Sequence, residues 1–262
     1  MKNLGIITST ILLMIGFISF ESCKNDDSVA MPDPLVDTTD TTTADELAVY
    51  KKVYGASDIY KEGNFVVIKV NSLPDHPSPY YKDTDWSDKF EGYNGTNPDF
   101  HLNPNRVTQT NYTYKFPLNP VELSSGNQAT TLGTIGVAIN GVPLFNQYAG
   151  PNEQELTNEI NSFDQYNGHP QQQEVYHYHI EPLYLTANKG KEALMGFLLD
   201  GFPVYGPEEN GAEVTNSYLD EFHGHKHATA DYPNGIYHYH FTDAAPYLNG
   251  DGFKGTPGTA TR

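Results

Sequence analysis

Apolar positions along this chain alternate or run in short blocks, and few recur with helical spacing. Phe65-Val66-Val67-Ile68-Lys69-Val70 predicts a strand. Tyr112-Thr113-Tyr114-Lys115-Phe116 alternates aromatic and polar residues with period two and is stopped by Pro117. Asn140-Gly141 and Asp200-Gly201 are hairpin-turn dipeptides beside apolar runs. The one stretch with helical spacing is 152–163, where Leu156, Ile160 and Phe163 share a face, so a short helix is expected there. The pattern predicts a mainly β protein.

The N-terminus follows different rules. Lys2 precedes an uncharged apolar run from Leu4 to Phe20, which reads as a secretory signal over residues 1–22. A membrane-spanning helix is the alternative, but the run is at the lower length limit and is followed by acidic, Thr-rich sequence. Cys23 comes directly after it. Phe20-Glu21-Ser22-Cys23 loosely resembles a bacterial lipobox, and Cys23-Lys24-Asn25-Asp26-Asp27 resembles the acidic export tag of Bacteroidetes-type surface lipoproteins. That resemblance implies a lipid on Cys23 and an outer-membrane protein facing outward, with a periplasmic orientation as the alternative. Residues 23–46 are rich in Asp and Thr and too polar to repay their ordering entropy, so they are expected to form a tether. Residues 47–262 are left as a single domain.

Charge and cysteine usage narrow the function. The 262 residues carry 15 Lys and Arg against 33 Asp and Glu, a formal charge of −18. Nucleic acid is excluded as a partner, because phosphate binding needs a basic footprint; a cation suits this balance better. One cysteine rules out an internal disulfide and any zinc site built on Cys clusters. There is no Gly-x-Ser-x-Gly elbow and no Gly-rich phosphate loop ahead of a helix.

The chain repeats itself. Gly136-Val137-Ala138-Ile139-Asn140-Gly141-Val142-Pro143-Leu144-Phe145 matches Gly196-Phe197-Leu198-Leu199-Asp200-Gly201-Phe202-Pro203-Val204-Tyr205. Asp164 to His169 matches Asp220 to His225, and Tyr176-His177-Tyr178-His179 matches Tyr237-His238-Tyr239-His240. The order is the same in both copies, near 133–182 and 194–250. Two copies are too few for a solenoid. They predict a β-sandwich-like domain whose halves are related by a pseudo-two-fold.

In a strand, Tyr176 and Tyr178 point to one face and His177 and His179 to the other, with the two His about 6.6–6.8 Å apart along the strand. Such a pair can converge on one ion, and His238 and His240 repeat it. Gly-His turns are expected to add His169 and His225. If the pseudo-two-fold brought the strands together, four His would share one space. Imidazoles in this number suit a divalent transition metal, with copper and zinc the leading candidates. The structural alternative is a hydrogen-bonded Tyr/His ladder that packs the halves. His223 and His227 lack repeat partners and are expected to be solvated. Because ligating imidazole must be neutral, metal affinity is expected to weaken below about pH 6.5. A separate possibility is an aromatic platform for polysaccharide formed by Trp86, Tyr80, Tyr81 and Tyr93.

The doubled Tyr-His-Tyr-His, with Asn-Gly-Val-Pro and Asp-Gly-Phe-Pro-Val-Tyr-Gly-Pro ahead of the copies, resembles the YHYH domain family. Asn71-Ser72-Leu73-Pro74-Asp75-His76-Pro77 and Asn103-Pro104-Asn105 extend the match, which covers roughly residues 65 to 255. The resemblance implies an extracytoplasmic domain and adds His76 to the candidate ligands. It also implies Cys where this chain has Tyr166 and Phe222, and again near Asn249 to Gly252, so aromatic packing is expected to replace a disulfide here. The candidate ligand set is His76, His169, His177, His179, His225, His238 and His240. Seven exceed the usual four, so two sites or some supporting residues are expected. A non-catalytic glycan-binding or structural surface module, a metal-dependent hydrolase or oxidase, and a metal-free acid–base enzyme are the alternatives.

Overall fold

The computed structural model describes residues 45–262. The signal segment 1–22, Cys23 and residues 24–44 lie outside the described residues. Asp45 and Glu46, at the end of the expected tether, already belong to the fold: their carboxylates pair with Lys51 at 2.6 Å and Lys61 at 2.5 Å.

The strands β1 (Ala56–Glu62), β2 (Phe65–Val70) and β3 (Tyr112–Pro117) come first. The first repeat supplies the hairpin β4 (Thr134–Ala138) and β5 (Pro143–Phe145), the small ribbon β6 (Tyr148–Gly150) and β7 (Gln154–Glu155), and the hairpin β8 (Gly168–Pro170) and β9 (Tyr176–Tyr178). A two-turn helix α1 (Leu183–Lys189) links the copies. The second repeat supplies β10 (Leu194–Leu198) and β11 (Pro203–Tyr205), the ribbon β12 (Glu208–Glu209) and β13 (Ala212–Glu213), then β14 (Gly224–His227) and β15 (Ile236–His240). The last strand is β16 (Thr259–Thr261). Hairpin, ribbon, hairpin is thus the order of both copies.

The eight-stranded sheet runs β14-β15-β11-β10-β4-β5-β9-β8. Replacing each strand by its repeat position makes this order a palindrome about the β10–β4 junction. The register there agrees: Phe197 faces its equivalent Val137, and Gly196 faces Ala138 as Leu198 faces Gly136, so the pairing is symmetric about the middle. The two Tyr-His-Tyr-His strands, β9 and β15, are consequently five strand positions apart, roughly 24 Å at normal strand spacing. The histidines therefore do not share one space.

The four-stranded sheet β1-β2-β3-β16 packs on the middle of the larger one. The period-two pattern of β3 is realised: Tyr112, Tyr114 and Phe116 are buried and alternate with half-buried residues. The Phe116 ring lies 6.4 Å from that of Phe197, and Tyr50 lies 4.7 Å from the same ring. Both Asx-Gly turns form where expected, with Gly141 at φ 84° and Gly201 at φ 86°, a region open mainly to glycine.

Two local readings differ. No α-helix forms over 152–163. Asn152 and Glu153 take left-handed backbone angles, φ 61° and 56°, and Gln154–Glu155 pair with β6. Only a single 3-10 turn, Glu159–Ser162, remains, although Leu156 and Phe163 are buried as their spacing suggests. The helix that does form, α1, has seven residues, too few to show periodicity in a sequence.

Candidate metal centres

Each end of the large sheet carries one cluster. At one end Glu159, His169, His177 and His179 each place one donor atom within 4.8 Å of all the others, and at the other Glu209, His225, His238 and His240 do the same. Six of the seven expected histidines are thus collected, three per repeat. His169 and His225 sit in strands, not turns: His169 is in register with His177 on β9, and His225 with His238 on β15.

The loop before each of these strands is built the same way twice. Asp164 Oδ1 accepts the N–H groups of Tyr166 and Gly168 at 2.8 and 3.3 Å, and Asp220 Oδ1 accepts those of Phe222 and Gly224 at 3.0 and 3.3 Å. Tyr176 then donates to Asp164 at 2.8 Å and Tyr237 to Asp220 at 2.7 Å. The tyrosine face of each motif therefore holds the loop that delivers the third histidine. A Cβ at Gly168 would come within 2.3 Å of the Tyr176 side chain, and one at Gly224 within 2.4 Å of both the His238 carbonyl and the Tyr237 side chain.

Hydrogen bonding fixes the tautomers. His177 Nδ1 faces the Val175 carbonyl at 3.0 Å and His179 Nδ1 faces that of Asn146 at 2.6 Å, so both must carry their proton on Nδ1. Ser162 Oγ gives its proton to the Glu159 carbonyl and so accepts from His169 Nδ1 at 2.8 Å. All three Nε2 atoms are left as bare lone pairs. They nevertheless lie close together, His169 to His177 at 3.1 Å and His177 to His179 at 2.9 Å, with Glu159 Oε1 3.1 Å from His169 Nε2. Lone pairs at this distance repel unless a cation lies among them. Protonating His177 or His179 is not the remedy, because burial, reinforced by the neighbouring imidazoles, pushes His177 well below its ordinary pKa and His179 to about 4. Around a tetrahedral ion with 2.0–2.1 Å bonds, ligand atoms are roughly 3.3 Å apart, close to the spacing found.

The second cluster repeats the logic. His238 Nδ1 donates to the Ile236 carbonyl at 3.0 Å and His240 Nδ1 to that of Gly206 at 2.7 Å, the repeat equivalents of Val175 and Asn146. Their Nε2 atoms are buried and have no hydrogen-bond partner. Burial holds these imidazoles neutral, His238 at about 3 and His240 at about 4. Orphaned buried acceptors are costly and rare, and a metal ion would satisfy both. Glu209 completes the set, with burial raising its carboxyl above the ordinary value.

A family model described as YHYH protein matches residues 113–217 and 208–255, a span that contains both clusters and more than half the chain. The chain belongs to the YHYH protein family. Neither the curated proteins nor the solved structures give a match.

His76 of this YHYH protein lies in neither cluster. Its Nδ1 faces the Pro77 carbonyl at 3.0 Å, and its Nε2 accepts from the Tyr178 hydroxyl at 2.8 Å. In the second repeat, Asp200 takes that role by accepting from Tyr239 at 2.6 Å. Tyr166, at an expected Cys position, packs on His76 with ring centres 4.5 Å apart. Phe222, at the other, is partly buried against the core, and its carbonyl accepts from the Gly250 N–H at 3.2 Å. Aromatic packing thus occupies both places.

His223 and His227 are not simply solvated. His223 is buried and bonds Thr242 at 3.0 Å, and His227 Nε2 lies 2.9 Å from His225 Nε2 and 2.8 Å from Glu209. Tyr80 and Tyr81 are fully buried and donate to the Ser162 and Pro74 carbonyls, so they present no face to a sugar. Tyr93 stacks on Phe100 at 3.8 Å, and Trp86 packs on the core.

The two carboxylates were hidden from sequence reasoning. Glu159 comes from the 3-10 turn before β8 and Glu209 from the ribbon strand β12, so they occupy different positions of the repeat. Among 33 acidic residues, only folding distinguishes them.

Proposed function

We propose that this YHYH protein binds a divalent transition metal at each end of its large sheet, copper or zinc being best suited to the donors. The first site uses Glu159, His169, His177 and His179; the second uses Glu209, His225, His238 and His240. The observation that carries this reading is the convergence of the bare, buried Nε2 lone pairs of His177 and His179 at one end and of His238 and His240 at the other, each with its Nδ1 committed to a carbonyl. Carbonyl and hydroxyl groups behind the imidazoles orient them, as supporting groups do in metal sites generally. A bound ion there would act as a Lewis acid toward any ligand that reached it. His76 is left out of the ligand set, since both its ring nitrogens are engaged.

Elemental analysis of the purified domain after reconstitution tests this. Two ions per chain are expected for the wild type and one for either His177→Ala or His238→Ala. A wild-type protein well short of one ion per chain would overturn the reading.

The sequence of residues 1–23 supports export and lipid attachment at Cys23, which would place the domain outside the cytoplasm on an outer-membrane tether. Labelling with a radioactive fatty acid, lost in Cys23→Ser, is the expected outcome. Equal labelling of the variant would remove the anchor.

A further inference from the structure

The two clusters are not copies of one another, and the difference bears on what can reach an ion. His227 stands in β14 where Gln171 stands just after β8: the Gln171 N–H bonds the Val175 carbonyl, and His227 is in register with Ile236, the repeat equivalent of Val175. The His227 ring points into the second cluster. Its Nδ1 faces the Ala228 carbonyl at 3.0 Å, and its Nε2 lies 2.9 Å from that of His225 and 2.8 Å from Glu209. Gln171 does nothing similar; its side-chain oxygen accepts from the Gln173 N–H at 3.3 Å, within its own loop.

The surroundings differ in the same sense. All four groups of the first cluster line one cavity of about 740 Å³ that opens to solvent. Its walls bring carboxamides such as Asn103, Asn158, Gln171 and Gln173, and among the described residues no Lys or Arg side chain. At the second cluster the neighbouring cavity is about 430 Å³ and touches only Glu209 and His240 of the set. His238 is buried behind them, and His227 is the most exposed imidazole of the group.

We infer that the two centres have different coordination chemistry: the Glu159/His169/His177/His179 centre keeps a position for a small exogenous oxygen or nitrogen donor entering from its cavity, whereas His227 fills the corresponding position of the second centre. This rests on the metal reading above and goes beyond it, because equal metal affinity at the two ends would leave it standing. Four protein donors close a tetrahedral ion, so the exchange position at the first centre is a fifth one, on the face that opens to the solvent cavity. At the second centre His227 Nε2, close to His225 and Glu209, stands where such a ligand would enter.

The test uses the chain loaded with cobalt(II), whose visible absorption reports coordination number, and azide as the incoming ligand. Azide is expected to alter the absorption of the wild type. The response should vanish in the His177→Ala/His179→Ala variant and persist in His238→Ala/His240→Ala. His227→Gln, which leaves the first centre and all buried ligands in place, should make the second centre azide-responsive as well, adding a second binding phase. An azide response that survives loss of the first centre, or a wild type that binds two cobalt ions and shows no azide response, overturns the inference while leaving metal binding intact. A wild type that takes up no cobalt overturns both.

Discussion

Val137 faces Phe197 across the middle of the eight-stranded sheet, and the two are the same position of the repeat. Through this pair the halves are joined hairpin to hairpin, so whatever each half builds at its far edge appears once at each end. The metal candidates are at those edges.

Independence of the two centres follows. Charges roughly 24 Å apart exceed the Debye length at physiological salt, so loss of one ion should barely affect the other. In His177→Ala, calorimetric titration is expected to show one ion binding with wild-type affinity. A large loss of affinity for that remaining ion would mean the halves communicate.

The metal-free protein should lose stability in acid before its sites protonate. Burial holds His179, His238 and His240 at pKa values of about 4, 3 and 4. In the unfolded chain each binds a proton as pH falls through about 6.5, while in the fold none does until about pH 4. The unfolded state then holds more protons between those limits, and stability falls by up to about 1.4 kcal/mol per pH unit for each such histidine. The urea midpoint of the metal-free domain should be lower at pH 5 than at pH 7; equal midpoints would contradict the assignment. By the same reasoning, protons compete for metal at His179, His238 and His240 nearer pH 4 than the pH 6.5 expected of free imidazole.

His76→Ala should cost stability without costing metal. It leaves the proton of the buried Tyr178 hydroxyl without an acceptor, although Asn140 still donates to that oxygen, a loss of about 1–3 kcal/mol. Both ions should remain by elemental analysis, whereas loss of one would make His76 a ligand after all.

Gly168→Ala and Gly224→Ala should each destabilise the fold by about 1–3 kcal/mol, because the new methyl meets the ring of Tyr176 at 168, and the ring of Tyr237 together with the His238 carbonyl at 224. Denaturant titration measures this. Variants as stable as the wild type would show that those rings move aside freely.

The sequence by itself determined a good deal. Alternation set the inward face of β3, Asx-Gly dipeptides marked both central hairpins, and the repeated Tyr-His-Tyr-His put tyrosines and histidines on opposite faces, because strand side chains alternate strictly. It also assigned three histidines to each copy. What it left open was how the copies meet, since a pseudo-two-fold can bring two strands together or send them to opposite edges. Pairing of β4 with β10 decided that, giving two centres instead of one. Only tertiary structure chose Glu159 and Glu209, and drew His227 in while leaving His76 to Tyr178. A strand's period says which face a side chain takes, but the partners it meets there come from segments far along the chain, and no local pattern records them.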